Sequence, residues 1–242
     1  MNKINEIRMV KIEKIIDEAK DIKSFFFSDS AVEKALPGQF LMIWLPGVDE
    51  VPMGISRIGK LSSITVKKVG DCTEKLHLLK EGDKIGIRGP FGNHFNIVDC
   101  EKMVVAGGIG IASLLPLIDE RTEVFMGAKT RNCLPFLGEI KKRGARLHLA
   151  TEDGSRGFKG MVTDLFTEFL GDNNHLSERK IYVCGPMEMI QEIYRRNKNR
   201  EMEASLESHM KCGIGICDSC SIRGIRICKE GPVISDLSRI FD

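Results

Sequence analysis

Four cysteines stand close together near the end of this 242-residue chain: Cys212, Cys217, Cys220 and Cys228, spaced C-x4-C-x2-C-x7-C. Plant-type [2Fe–2S] clusters are held at this spacing, with two thiolates on each of two irons. Gly213 and Gly215 fall inside the first interval. There the chain must turn sharply and bring N–H groups to sulfur, which glycine permits. On spacing alone a zinc site, a disulfide pair and buried free thiols stay open. Zinc ribbons carry paired C-x2-C knuckles, and only Cys217-Asp218-Ser219-Cys220 has that form here. Cys72, Cys100 and Cys133 are scattered and read as packing, and Cys184 stands apart at a strand end.

A second chemistry is suggested by Gly107-Gly108-Ile109-Gly110, between the apolar run Met103-Val104-Val105-Ala106 and the helix start Ile111-Ala112-Ser113-Leu114. A strand–glycine–helix turn gathers free N–H groups and the positive end of a helix dipole, a seat for pyrophosphate. The motif is not G-x-G-x-x-G, and no acidic residue follows at ribose distance. A tight turn with close helix–strand packing is the alternative. Cys184-Gly185-Pro186 repeats the arrangement at a later strand end. Two such turns in one parallel sheet line the crevice at its carboxyl edge. Lys129 and Arg131, after the next strand, are candidates for ribose or phosphate. His77, His94, His148, His175 and His209 read as surface or packed side chains, and no Ser/His/Asp order or paired carboxylate argues for hydrolysis.

These residues need elements to position them. Residues 1–97 hold short apolar or alternating runs, such as Phe40 to Leu45 and Ser63 to Val69, broken by Leu36-Pro37-Gly38, Glu81-Gly82-Asp83 and Gly89-Pro90. That rhythm predicts an antiparallel Greek-key β-barrel, with one short helix from Cys72 to Leu79. Residues 98–200 alternate apolar strands with helices at Met161 to Leu170 and Met187 to Asn197, the pattern of a Rossmann-like parallel α/β domain. Residues 201–242 are too few for a core of their own and call for the cluster as a staple. The fold class expected is β plus α/β with a small C-terminal cluster segment.

Composition narrows the partners. Apolar residues make up 42%, and 36 basic side chains nearly balance 34 acidic ones, for a formal charge of +2. That balance gives no pull toward nucleic acid or an anionic membrane. The start, Met1 to Arg8, does not read as a secretory signal. Met103 to Ile118 is too short, and too rich in Gly and Pro, to span a bilayer. The cytoplasm is the expected compartment, and disulfides are rare there.

A barrel, then Gly107-Gly108-Ile109-Gly110-Ile111-Ala112-Ser113-Leu114-Leu115-Pro116, a late Cys184-Gly185-Pro186-Met187 and a terminal cysteine segment resemble the ferredoxin–NADP reductase superfamily. The order of modules is similar, nearly end to end, to the electron-transfer subunits of dihydroorotate dehydrogenase B. The resemblance also rests on Gly89-Pro90-Phe91-Gly92-Asn93-His94-Phe95, Thr151 to Ser155, and Gly160 to Leu165. It implies FAD on the barrel, NAD(H) on the α/β domain through Gly107, Gly108 and Gly110, and a [2Fe–2S] cluster on Cys212, Cys217, Cys220 and Cys228.

The family's Arg-Pro-x-Ser flavin motif maps onto Val51-Pro52-Met53-Gly54-Ile55-Ser56. Pro52 aligns, Val51 replaces the Arg, Gly54 takes the Ser position, and Ser56 is a substitute; Pro52, Met53, Gly54 and Ser56 are the candidates. Thr65 and Val66 correspond to backbone beside the flavin ring. Gly70, Cys72 and Thr73 resemble the turn that meets the flavin diphosphate. A plain N-cap is the alternative for Thr73. Cys184 would sit over the flavin's reactive edge.

The resemblance implies an oxidoreductase subunit that moves electrons. An FMN-containing catalytic partner oxidises dihydroorotate to orotate in pyrimidine biosynthesis. Its electrons pass through cluster and FAD to NAD+ within a heterotetramer of two of each subunit. An NAD(P)H–ferredoxin oxidoreductase or hydrogenase subunit is the main alternative, and a zinc-stabilised binding module the lesser one.

Overall fold

The computed structural model describes residues 3–173, 176 and 178–242. His175 lies outside the described residues. The chain forms two compact units, Met1–Phe95 with Ser208–Val233, and Asn96–Glu207 with Ile234–Asp242.

The first unit is built on β1 (Arg8–Lys11), β2 (Lys14–Ala19), β3 (Ile22–Phe27), β4 (Phe40–Leu45), β5 (Asp49–Arg57), β6 (Ser62–Lys67), helix α1 (Asp71–Leu78) and β7 (Lys84–Phe91). The strand order is β1-β7-β4-β5-β6-β3-β2, antiparallel at every pairing. At Ile12 and Glu13 the chain passes from one edge to the other. The Ile12 N–H donates to the Asp83 carbonyl beside β7, and the Glu13 N–H to the Phe26 carbonyl of β3, each at 2.8 Å. That switch lets one continuous stretch serve both ends of the strand order, β1 against β7 and β2 against β3. Alternate residues point inward, so Phe25 and Phe27, Leu41 and Ile43, Ile64 and Val66, and Ile85 and Ile87 fill one buried core.

The second unit carries β8 (Lys102–Gly107), α2 (Ile111–Leu114), β9 (Thr122–Ala128), α3 (Leu137–Lys142), β10 (Arg146–Thr151), β11 (Phe158–Lys159), α4 (Val162–Asp172), β12 (Lys180–Cys184), α5 (Met187–Arg196) and β13 (Met202–Ser205). Its order, β11-β10-β9-β8-β12-β13, is parallel through the paired strands. From β8 the chain winds outward through β9 and β10, then restarts on the other side with β12. The direction reverses between β8 and β12, where ligands bind in open α/β sheets. The helix expected after Gly110 is brief. It stops at Leu114 and gives way to a 3-10 turn over Leu115–Leu117, because Pro116 has no N–H to continue the helix.

The last stretch adds β14 (Ser221–Ile222), β15 (Ile225–Arg226) and α6 (Ile227–Glu230) to the first unit; β16 (Val233–Ile234) follows β13 in the parallel sheet's order, and α7 (Ser238–Phe241) ends the chain. Residues 208–233 pack with the barrel through ordinary contacts. The Asn93 N–H donates to the Gly231 carbonyl and its side-chain amide to the Glu230 carbonyl, both at 2.6 Å. Gly92 lies so close to Pro232 and Gly231 that a Cβ there would collide with them. No helix among the described residues is long and apolar enough to cross a membrane.

Candidate functional site

The four clustered cysteines sit on one loop and the short elements after it. Cys220 and Cys228 are buried, Cys212 is half-buried and Cys217 is exposed. Backbone groups converge on sulfur. The Gly215 N–H reaches Cys228 Sγ at 3.1 Å, the Ile216 N–H reaches Cys212 Sγ at 3.4 Å, and the Cys228 N–H reaches Cys220 Sγ at 3.4 Å. Gly213 and Gly215 both adopt positive φ, +71° and +80°. A Cβ on Gly213 would strike Met42, and one on Gly215 would strike Lys229.

The thiols associate in pairs, Cys212 with Cys217 and Cys220 with Cys228. Among the described residues no group of three or more His, Cys, Asp or Glu is arranged to hold a metal ion. Two pairs, each with N–H donors on sulfur, fit a binuclear cluster with two thiolates per iron. Burial opposes ionisation of Cys212, but N–H groups of Cys217, Ile214 and Ile216 outweigh it and bring its pKa down to about 6. The Ser219 hydroxyl and N–H lower that of Cys217. Cys228 is pushed up to about 12 by burial, with Cys220 adding to it.

The loop is also held from the barrel. Gly213 rests on Met42 of β4, and Met42 pairs across the sheet with Pro52 of β5 on one side and Arg88 of β7 on the other. Arg88 donates to the Cys212 carbonyl at 3.1 Å and forks onto the Glu50 carboxylate at 2.7 and 2.6 Å. Arg226 donates to the Gly215 carbonyl at 3.0 Å. The sequence reading missed both arginines. An Arg ending the apolar run Ile85-Gly86-Ile87 was the available signal for Arg88.

The candidate flavin residues lie on two neighbouring strands and one helix start. Pro52, Met53 and Gly54 are half-buried on β5, and Ser56, Thr65 and Val66 are buried on β5 and β6. The Ser56 hydroxyl is engaged internally, donating to the Ser63 carbonyl at 3.0 Å and bonding the Ser63 and Thr65 hydroxyls at 2.9 and 2.8 Å. Thr65 bonds Ser24 in turn, and Arg57 ties Ser24 and Ser63 to Glu18. This network, also unread from the sequence, ties the two strands together and occupies the hydroxyls of Ser56 and Thr65.

Thr73 caps its own turn. Its hydroxyl accepts the Val69 and Gly70 N–H groups at 2.9 and 3.0 Å and donates to the Gly70 carbonyl at 2.8 Å. The first helical bond runs from the Glu74 N–H to the Gly70 carbonyl at 2.8 Å. The N–H groups of Asp71, Cys72 and Thr73 precede it and have no helical acceptor. Open space surrounds Gly70. The donors that could meet a diphosphate here are therefore these N–H groups, since the Thr73 hydroxyl is already engaged. Burial raises the Cys72 thiol above its ordinary value.

In the second unit the two glycine turns meet at the reversal point. A Cβ on Gly110 would collide with the Cys184 carbonyl and the Gly185 N–H, and one on Gly185 with the Gly107 backbone. Gly108 takes φ +54° with open space around it. Backbone thus approaches backbone at the carboxyl ends of β8 and β12, the place where open α/β sheets could take a nucleotide diphosphate. Lys129 and Arg131 are exposed beyond β9. The Arg131 N–H donates to Ser155 Oγ at 2.8 Å, joining this loop to the one after β10. Cys184 is fully buried, and burial pushes its thiol far above the ordinary range, while the Ser205 and Ser113 hydroxyls bond it. Burial thus favours its neutral form. The four described histidines pack or lie at the surface. His148 stacks on Phe125 and bonds Glu123, His77 bonds the Val66 carbonyl, His94 bonds the Phe95 carbonyl, and His209 is exposed.

Residues 207–236 match the family described as the iron-sulfur cluster binding domain of dihydroorotate dehydrogenase B. A probable dihydroorotate dehydrogenase B (NAD(+)) electron transfer subunit of Thermoplasma acidophilum is 43% identical over 93% of this chain and 87% of its own length. The similarly named protein of Methanocaldococcus jannaschii is 40% identical over 92% and 87%. Among solved structures, a chain of the NADH-dependent reduced ferredoxin-NADP oxidoreductase, described for flavin-based electron bifurcation, superposes with a TM-score of 0.81 and 28% identity, covering 94% of this chain and 88% of that one. A ferredoxin reductase of carbazole 1,9a-dioxygenase shares the fold, with a TM-score of 0.70 at 19% identity over 80% of this chain and 65% of its own.

Proposed function

The chain belongs to the family of dihydroorotate dehydrogenase B (NAD(+)) electron transfer subunits, and from that premise we propose that it relays electrons between a catalytic partner subunit and NAD+. It is an oxidoreductase subunit with FAD, [2Fe–2S] and NAD(H) as its cofactors, and the partner carries out the substrate chemistry. When bound, nicotinamide exchanges electrons in pairs and the cluster singly, and flavin converts between the two.

The observation that best supports the relay is the closeness of two carrier sites within one compact unit. The cysteine loop rests on Met42 of β4, and Met42 pairs with Pro52 of the candidate flavin strand. Adjacent strands lie about 4.8 Å apart, so a cluster and a flavin bound at these places would be close neighbours.

This chain's residues would do the following. Cys212, Cys217, Cys220 and Cys228 would bind the irons, and the N–H groups of Gly215, Ile216 and Cys228 would stabilise the sulfur charge. Pro52, Met53 and Gly54, with the backbone of Thr65 and Val66, would orient the flavin ring. Ser56 would hold that strand from beneath, Cys72 and Thr73 would present N–H groups to the flavin diphosphate, and Gly70, its own N–H taken by the Thr73 hydroxyl, would leave the space beside them open. Gly107, Gly108 and Gly110 would seat the nicotinamide dinucleotide. Cys184 would form the floor beneath it, small and uncharged.

The proposal extends to an FMN-containing catalytic partner that converts dihydroorotate to orotate, a heterotetramer of two of each subunit, and a cytoplasmic location. A second reading, a module of an NAD(P)H–ferredoxin oxidoreductase, is favoured by the 28% identical solved chain. The partner separates the two. Tagged protein purified from its own cells should bring down an FMN-containing subunit in equal amount; recovery of a ferredoxin-linked or hydrogenase subunit instead would overturn the pyrimidine assignment.

A further inference from the structure

Arg88 stands where no assigned function reaches it. It is on β7, across from Met42, and its guanidinium leaves the strand toward the first cysteine of the loop. Its side chain is 13% exposed and that of Glu50 is 22% exposed. Both oxygens of Glu50 accept from it, which fixes the plane of the fork, and Phe91 packs its ring 5.7 Å from the guanidinium. The remaining hydrogen bond is spent on the Cys212 carbonyl. A bidentate fork of this kind sets position as well as charge, and solvent screens a pair this covered only weakly.

We propose that Arg88 and Glu50 form the electrostatic setting of the cluster. Arg88 is a positioning residue that holds the Cys212 ligand through its carbonyl, and its positive charge favours the reduced, more negative cluster. Glu50 holds the guanidinium in place and offsets part of that charge. The inference rests on the reading of the four cysteines as cluster ligands. Net charge and hydrogen bonding round the sulfurs are the levers by which proteins move such potentials. The neutral Gln substitutions of the two partners must therefore move the potential in opposite directions. A purely mechanical strap would not produce that sign reversal.

The experiment is an anaerobic redox titration of the cofactor-loaded protein, following the cluster's EPR signal in wild type, Arg88→Gln, Arg88→Lys and Glu50→Gln. Arg88→Gln should lower the reduced-to-oxidised ratio at the wild-type midpoint roughly tenfold, about 59 mV for a one-electron couple. Glu50→Gln should raise that ratio. Arg88→Lys should keep most of the wild-type potential, because the charge is kept, while the EPR line shape changes with the lost fork. If Arg88→Gln does not retain a cluster, the opposite shift in Glu50→Gln, which keeps the arginine, decides the matter. Wild-type protein that takes up no [2Fe–2S] cluster overturns the ligand reading itself. A normal wild-type cluster whose potential is unmoved in Glu50→Gln, or moves the same way in both Gln variants, overturns this proposal alone.

Discussion

Gly110→Ala sets two physical rules against each other. Gly110 has helical backbone angles, φ −55° and ψ −23°. Helix propensity alone therefore predicts that alanine stabilises the protein, by up to about 1 kcal/mol. The surroundings predict the reverse. A Cβ at this position would run into the Cys184 carbonyl and the Gly185 N–H, which are backbone and cannot swing aside as a side-chain tip would. Forcing an atom into a packed site costs about 1–3 kcal/mol, and a backbone obstacle belongs at the upper end. After the propensity gain is subtracted, a net loss of about 2 kcal/mol remains. In a chain of this size that lowers Tm by roughly 4–8 °C.

The same collision parts the β8 and β12 turns, so NADH affinity, measured by calorimetry, should fall at least tenfold. Gly108→Ala is the control. Its φ of +54° carries a strain of about 1–2 kcal/mol for alanine, but open space surrounds it, so Tm should fall without the turns separating. A Gly110→Ala protein as stable as wild type, with NADH affinity intact, would refute the reasoning that seats the nucleotide between these two turns.

Thr73→Ala removes a hydroxyl that makes three hydrogen bonds at the start of α1; stability should drop by about 1 kcal/mol, read by urea unfolding, and FAD should still bind because the backbone N–H donors remain. In cluster-free protein at pH 7, Cys212, with its pKa near 6, is mostly thiolate, and Cys228, near 12, is thiol. Iodoacetamide followed by peptide mass mapping should label Cys212 well before Cys228, and the buried Cys184 last. Cys217→Ser should abolish the cluster's absorbance while the barrel's thermal transition survives, since Asn93 and Arg88 hold the segment without metal; NADH should still bleach the flavin. Asp29 is paired with Arg8, and its pKa is lowered despite burial. A depressed folded value stabilises the protein above the unfolded pKa of 3.8 and is lost as pH falls through the folded value. Arg8→Gln should therefore lower stability at neutral pH and lessen the loss below pH 4, as followed by circular dichroism.

Much of this architecture is legible in the chain because its signals are local. Period-two alternation such as Leu41 and Ile43 gives the barrel core, and the run Met103 to Ala106 with its glycines gives the central parallel strand and its turn. The cysteine spacing marks the thiol loop because two irons need sulfurs at set intervals. What stays hidden is long-range. Nothing near Asn93 announces that it binds the Glu230 and Gly231 carbonyls, so the packing of 208–233 with the barrel could not be read from the tail's own composition. Hydroxyl roles are hidden for the same reason. Thr73 and Ser56 match a binding motif by type, yet their oxygens are engaged by partners 3 to 9 positions away, or by Ser24 through Thr65. The Arg88–Glu50 pair, 38 residues apart, becomes visible only once β5 and β7 flank β4.

The measurement closest to the central claim is an anaerobic titration of the purified, cofactor-loaded chain with NADH, with iron, sulfide and zinc assayed in the same sample. Two irons and two sulfides per chain, no zinc, and loss of both flavin and cluster absorbance as NADH is added are the expected results. A colourless zinc protein, or a cluster and flavin that NADH leaves oxidised, would contradict that claim.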